Sequence, residues 1–279
     1  MKTLVRCSLA ALIGIASMAA QPNYEVYAIK YATLKAFSLG GLVEGEDRNQ
    51  KLDIGMYIFL VKGGGHNILF DCGFYRPQFM RQWKPADYEI PSAAVERAGV
   101  KASEITDVII SHIHWDHADG FDLFPNAKIW IQEEELEYYA GDAWSGGKKR
   151  TAADPDDILG LVKMNTEGRL TLVNGDAQQI LPGIMAYIGG KHTYQSQFIV
   201  VKTADGTVVL ASDNVYLYMN LEKHKPIAAT LDRDSNLRAQ DRMKDLASSP
   251  KLIVPGHDPA VMKNFPEVGP AVVRIQLVK

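Results

Sequence analysis

The stretch Ser111-His112-Ile113-His114-Trp115-Asp116-His117 places three histidines and one aspartate within six consecutive positions. Neutral imidazole and carboxylate are the usual ligands of zinc and related divalent metals. His112 and His114 alternate with Ile113 and Trp115, so in an extended segment both imidazoles point the same way. Asp116 and His117 follow where the chain must turn, and face a different point in space. Two groups aimed at two points predict two metal ions.

The surrounding elements explain how such residues are presented. Asp107-Val108-Ile109-Ile110 reads as a buried strand ending at the motif, and Ala118-Asp119-Gly120 as a turn or helix start after it. Open α/β sheets place their sites at such strand ends. The pattern recurs along the chain. Ile184 to Ile188 leads into Gly189-Gly190-Lys191-His192, Val208 to Ser212 into Asp213, and Leu252 to Val254 into Pro255-Gly256-His257. Gly189, Gly190 and Gly256 suit loops that need sharp turns or close backbone approach.

Elsewhere, Tyr24 to Lys35 and Met56 to Val61 read as strands. Gly63-Gly64-Gly65 turns the second into a hairpin partner, Asn67 to Phe70. His66 in that turn reads as solvated and without a role. Asp71, at the hairpin's end, is either an orienter of the histidines or a turn cap. Pro91 to Ala98 reads as a helix closed by Gly99, Ala127 to Ile131 as a strand and Glu133 to Ala140 as a helix. Gly141 to Gly168 reads as an irregular excursion with a short helix. Strands are expected at Leu170 to Val173, Phe198 to Lys202 and Thr207 to Ala211. A helix through Leu237, Met243 and Leu246 is expected to be capped by Asp234 or Ser235. His224, between two lysines, reads as surface.

The 279 residues, 47% hydrophobic, suffice for one large domain, and no linker or low-complexity run divides them. Acidic and basic residues are interspersed around a formal charge of -3, which argues against a nucleic-acid partner. Residues 1–20 have the layout of a secretory signal peptide: Lys2 and Arg6, an apolar centre from Leu9 to Ala16, then Ser17-Met18-Ala19-Ala20. The apolar centre is too short for a membrane span. This predicts an exported protein, periplasmic or extracellular, with one domain over residues 21–279. Cleavage would remove Cys7 and leave Cys72 as the one cysteine, so no internal disulfide is expected.

His112, His114, Asp116 and His117 resemble the HxHxDH signature of the metallo-β-lactamase superfamily, and His192, Asp213 and His257 follow in the order of its later ligands. The resemblance implies the α/β class: an αββα sandwich of two mixed sheets with helices on the outer faces. It assigns one metal to His112, His114 and His192, a second to Asp116, His117 and His257, and makes Asp213 the bridge. Zinc is the expected ion. Gly190-Lys191-His192-Thr193 departs from the usual Pro-Gly-His-Thr but keeps the histidine and threonine. Within the superfamily the chain is most similar to the acyl-homoserine lactonases. His117 closes the first motif, Tyr216 stands three residues after Asp213, and the hairpin ends in Asp71-Cys72-Gly73.

The expected reaction is hydrolysis of a lactone, most simply an N-acyl-homoserine lactone. A metal-bridging hydroxide would attack the carbonyl, Tyr216 would steady the oxyanion, and Asp116 would protonate the leaving oxygen. Cys72 reads as packing near the site, not as a nucleophile. Phosphotriesters, aryl esters and thioesters are alternative substrates of the same centre. A homodimer stays open. Loops at Phe37 to Leu52, Cys72 to Tyr88 and Gly141 to Met164 are expected to wall the site. Trp83, Trp115, Trp144 and Met164 are available either to an acyl chain or to local packing.

Overall fold

The computed structural model describes residues 23–147 and 152–277. The expected signal segment, with Cys7, lies outside the described residues. Among those described, no helix is long and apolar enough to cross a membrane.

The first half supplies strands β1 (Glu25–Ser38), β2 (Lys51–Gly63), β3 (His66–Phe70), β4 (Asp107–Ile109), β5 (Lys128–Gln132) and β6 (Leu170–Val173). The second supplies β7 (Gln178–Leu181), β8 (Ile184–Ile188), β9 (Gln197–Thr203), β10 (Gly206–Ser212) and β11 (Ile253–Pro255). β12 (Glu267–Gly269) and β13 (Val272–Arg274) then return to the first sheet. The sheet orders are β12-β13-β1-β2-β3-β4-β5-β6 and β11-β10-β9-β8-β7. Both are mixed. β3, β4, β5 and β6 pair in parallel, as do β10 and β11, while β1, β2 and β3 run antiparallel.

β2 shows why the sheets stack. Tyr57, Phe59 and Val61 pack into the layer between the sheets, against Ile199, Val201 and Leu210. Met56, Ile58 and Leu60 alternate onto the other face, against the outer helices. Both faces are covered, so the strand reads as one continuous apolar run. On the outer face of the second sheet, Ala239 and Met243 of a long helix cover Phe198, Val200 and Val209. The layers are helix, sheet, sheet and helix, the αββα sandwich.

The helices are α1 (Leu39–Leu42), α2 (Pro77–Trp83), α3 (Pro91–Ala94), α4 (Trp115–Ala118), α5 (Glu133–Ala140), α6 (Pro155–Thr166), α7 (Tyr218–Lys223), α8 (Arg233–Leu246) and α9 (Val261–Asn264). Several differ from the sequence reading. The stretch from Ser38 to Gln50 holds α1. The Gly141–Gly168 excursion carries the twelve-residue α6, capped by Asp154, whose side chain accepts from the Asp156 N–H. The cap of α8 is Asp232, accepting from Ser235 N–H, and not Asp234 or Ser235, because only the residue outside the first turn can turn its carboxylate back onto an unpaired N–H. β7, β12, β13 and α7 are short, and their sequences carry too little periodicity to announce them.

α6 is fixed to the motif region by charge. Asp119, fully buried, accepts from the Tyr75 N–H at 2.6 Å and the Arg76 N–H at 3.0 Å. The Arg76 guanidinium also contacts the carboxylates of Asp119 and Asp157, the latter in α6. Trp115 N–H donates to Ala152 O at 2.9 Å, tying the segment that leads into α6 to the His-rich motif. Two buried carboxylates thus share one guanidinium. Burial first, and then the Asp119 charge, push the Asp157 carboxyl up to about 8, against the pull of Arg76.

An unfolded aspartate titrates near ~3.9. The folded chain therefore holds an extra proton between about pH 4 and pH 8. The stability this proton contributes is complete at the acid end and is lost as pH rises through the window. Asp157→Asn, which imitates the protonated acid, is expected to flatten this dependence. Urea midpoints measured from pH 5 to pH 8 should fall for the parent relative to the variant, and parallel curves would place the proton elsewhere.

Candidate metal centre

Every proposed ligand stands just past a strand end at one edge of the sandwich. β4 delivers His112 and His114, and the one-turn α4 that follows turns Asp116 and His117 inward. β8 leads to His192, β10 to Asp213 and β11 to His257. The first four come from one sheet and the last three from the other. Candidate ligand atoms of His112, His114, His192 and Asp213 lie within 4.8 Å of one another, as do those of Asp116, His117 and His257.

Asp213 stands between these groups. One carboxylate oxygen is 3.3 Å from His192 Nε2 and 3.7 Å from His112 Nε2. The other is 2.9 Å from His257 Nε2 and 3.3 Å from His117 Nε2. Asp116 Oδ2 lies 3.4 Å from His117 Nε2 and 3.6 Å from His257 Nε2.

The imidazoles are held from behind. The Nδ1 atoms face Ser111 Oγ for His112 (2.8 Å), Asp71 Oδ2 for His117 (2.8 Å), Ala229 O for His192 (2.8 Å) and Gly55 O for His257 (3.0 Å). Each contact leaves Nε2 aimed into the centre, which is how metal-ligating histidines are oriented. His114 differs, with Nδ1 facing His192 Nε2 at 2.9 Å. His112 Nε2, His117 Nε2 and Asp213 Oδ1 are buried and make no hydrogen bond. Buried polar atoms are rarely left so. Converging orphaned nitrogens beside a carboxylate are the donor set that a divalent cation satisfies, so the residues fit two such ions.

The electrostatics agree with this division. Burial, then the neighbouring imidazoles, hold His112 well below its ordinary value, and burial takes His114 down to about 3. Both are therefore in the neutral, ligating form at neutral pH. At His117 burial acts downward, but Asp213, Asp116 and Asp71 outweigh it and hold the pKa well above the usual range. Burial acts upward on Asp213, yet His117 and His257 hold it well below the carboxylate range.

Asp71 resolves the alternative left open in the sequence. Its Oδ1 accepts from the Ser111 N–H at 2.8 Å and its Oδ2 faces His117, so it orients the motif. Ser212 Oγ donates to the same Oδ2 at 2.8 Å and lies 2.8 Å from Ser111 Oγ. Asp71 and Ser212 both adopt left-handed backbone, with φ of 62° and 47°. Such strain in non-glycine residues is typically tolerated at functional sites. Gly256 is needed for close approach: a Cβ there would meet Asp213 Oδ1 at 2.8 Å and Ser212 O at 2.9 Å.

The Tyr216 ring lies 5.6 Å from that of His192 and 5.9 Å from that of His257. Burial, then Asp213 and Asp116, raise its phenol well above the ordinary value, so it stays protonated and can donate. Cys72 is fully buried, and its Sγ contacts the carbonyls of His117 and Ala118. The thiol is pushed well up by burial and by Asp71, as suits packing rather than nucleophilic attack.

One further expectation is corrected, and two others are met. His66 is not merely solvated, because its Nδ1 pairs with Asp107 Oδ2 at 3.0 Å. Trp115 is buried, stacked on Trp83 at 5.2 Å and on Phe79 at 4.9 Å, and Met164 lies in the core. For these two, local packing is the correct reading. His224 is exposed and pairs with Asp241.

Sequence reasoning missed Glu135, Ser212 and the carbonyls of Ala229 and Gly55. Backbone carbonyls carry no sequence signal. Glu135 sits in a run of three glutamates, with nothing in the sequence to separate the buried one from the other two.

The family model described as the metallo-beta-lactamase superfamily matches residues 55–257. The N-acyl homoserine lactonase of Bacillus cereus is 28% identical over 220 residues, covering 78% of this chain and 79% of that protein. N-acyl homoserine lactonase AttM of Azorhizobium caulinodans is 25% identical over 188 residues, covering 62% and 65%. In three dimensions the chain is similar to a quorum-quenching N-acyl homoserine lactone lactonase. The TM-score is 0.73 at 21% identity, over 90% of this chain and 98% of that one. It is also similar to AidC, a dizinc quorum-quenching lactonase, with a TM-score of 0.66 at 16% identity over 94% and 97%.

Asp71→Asn keeps a residue that tolerates left-handed backbone. It replaces the oxygen facing His117 with an amide donor. Zinc affinity, measured by competition with a chromogenic chelator, is expected to fall about 10- to 100-fold, the usual effect of removing a ligand's outer partner. An unchanged affinity would reduce Asp71 to a turn cap.

Proposed function

Because the chain belongs to the metallo-beta-lactamase superfamily and is a hydrolase of that fold, we propose that it opens lactone rings on a pair of divalent metal ions, with zinc the ion of choice. N-acyl-homoserine lactones are the substrates this reading favours. The observation that carries it is the placement of Asp213 between two ligand groups, with the protonated Tyr216 beside both His192 and His257. The lactonase names of the sequence relatives support the choice of lactone.

His112, His114 and His192 would hold one ion, Asp116, His117 and His257 the other, and Asp213 would bridge them. Bound divalent ions supply Lewis acidity and bring the pKa of water from ~15.7 towards about 7. The chain's own groups do the rest. The neutral His112 and His114 present lone pairs instead of protons. Tyr216 donates its O–H to the carbonyl oxygen as negative charge gathers there. Asp116, with the more accessible carboxylate of the two metal-centre aspartates, carries a proton to the ring oxygen as its bond to the acyl carbon breaks. Water adds across that bond, so the product is the hydroxy acid. Burial around the centre keeps bulk water from competing with these hydrogen bonds.

The layout of residues 1–20 supports export, so the substrate would be met outside the cytoplasm.

The test is ring opening of a short- and a long-chain acyl-homoserine lactone by zinc-loaded protein, with paraoxon and a β-lactam alongside. Fast, chelator-sensitive opening of the lactones is expected. Slow lactone opening beside fast phosphotriester cleavage would replace this reading with a phosphotriesterase. Two variants divide the roles. His114→Ala is expected to lose both metal and turnover. Tyr216→Phe is expected to keep its metal and lose about 100- to 1,000-fold in kcat, in line with removal of an oxyanion donor. Full activity in Tyr216→Phe would remove that side chain from the reaction.

A further inference from the structure

Glu135 is fully buried in the first turn of α5, outside both ligand groups. Its two carboxylate oxygens go to two different ligand loops. Oε1 accepts from the Ile113 N–H at 3.0 Å, and Ile113 is the residue between His112 and His114. Oε2 accepts from the Gln195 N–H at 2.6 Å, in the loop that carries His192 into β9. One carboxylate therefore spans from the first sheet's ligand loop to the second's. The rings those loops carry meet at 2.9 Å, from His192 Nε2 to His114 Nδ1.

We propose that Glu135 is a positioning residue for the metal group formed by His112, His114, His192 and Asp213, and that it fixes the spacing of the two loops that build it. Neither Glu135 bond falls within α4, which carries Asp116 and His117, or in the loop that carries His257. Asp71, by contrast, holds the His117 ring directly. The residue type follows from the donors. Two N–H groups approach from two loops, and a carboxylate is acceptor-only on both oxygens. An amide of the same shape would turn its NH2 against one of them. Bonds to a charged acceptor are also the stronger kind.

This inference rests on the metal-centre reading but not on the identity of the substrate, so its test reads metal and not turnover. Zinc affinity of the full chain is measured by chelator competition in two backgrounds. His257→Ala leaves the first group with its histidines, and His192→Ala leaves the second. Adding Glu135→Gln is expected to weaken zinc about 10-fold or more in the first background. In the second, the change is expected to stay under about twofold. Equal weakening in both would make Glu135 a general stabiliser, and no change in the first would remove it from the centre. Should Glu135→Gln fail to fold by far-UV circular dichroism, Glu135→Asp takes its place. That variant stays acceptor-only but is one methylene shorter. A smaller loss confined to the His257→Ala background is then expected, and a loss shared by both backgrounds, or none, overturns the proposal. Should the lactone panel fail while this asymmetry holds, the substrate reading falls and the inference stands.

Discussion

Five imidazoles and two carboxylates converge in a water-poor pocket, and the rest of the molecule must tolerate that. Moving an unpaired charge out of water costs several kcal/mol even after the protein relaxes. Here the cost is spread by chemistry. His112 and His114 lie on the side where burial strips protons, and they stay neutral. His117 and His257 lie between Asp213 and Asp116, and they are drawn towards the charged form. Divalent ions would meet the same carboxylates and displace those protons, the usual linkage between metal and proton binding.

The second demand is registry between the sheets. Ligands come from both, so a small slide would open the centre. The apolar layer between the sheets drives them together but is non-directional and resists sliding weakly. At the site edge the contacts become polar. Gln197 N–H donates to Ser111 O at 2.8 Å, and its side-chain amide donates to Ile110 O at 2.7 Å. Gln132 Nε2 donates to Gln197 Oε1 at 3.0 Å, and Ser111 and Ser212 meet through their hydroxyls. Buried, paired hydrogen bonds of this kind fix one arrangement where apolar contact would accept several. Glu135 belongs to the same seam, and the strained backbone of Asp71 and Ser212 persists because the seam over-determines it.

Beside this edge a second set of contacts fixes α6. Asp119, directly after the motif's Ala118, caps the turn at Tyr75 and Arg76, and Arg76 carries the charge onward to Asp157 in α6. α6 is thereby joined to the motif by buried charge, and not only by the apolar contacts of Ile158 and Leu161. Trp83 and Trp115, with Phe37 and Phe79, stack into one aromatic pile beside it. Two of the walls expected from sequence, around Phe37 and around Trp83, are thus packed to each other.

Much of this was legible in the chain itself. Histidine and aspartate at fixed offsets past apolar runs are a chemical signal, because few other uses concentrate such residues at strand ends. That signal marked the candidate ligands, the family resemblance divided them between two ions, and β2 and β10 were readable because both of their faces are buried. The helix α6 was obscured by the glycines before it and the proline that opens it, and β12 and β13 by their shortness. Which glutamate of the run at 133–135 turns inward, that Asp71 reaches His117, and that the carbonyls of Gly55 and Ala229 stand behind His257 and His192 were decided only by the tertiary structure. The reason is physical. A ligand is announced by its own side chain, but an orienting contact joins residues far apart in the chain, often through backbone atoms that every residue shares.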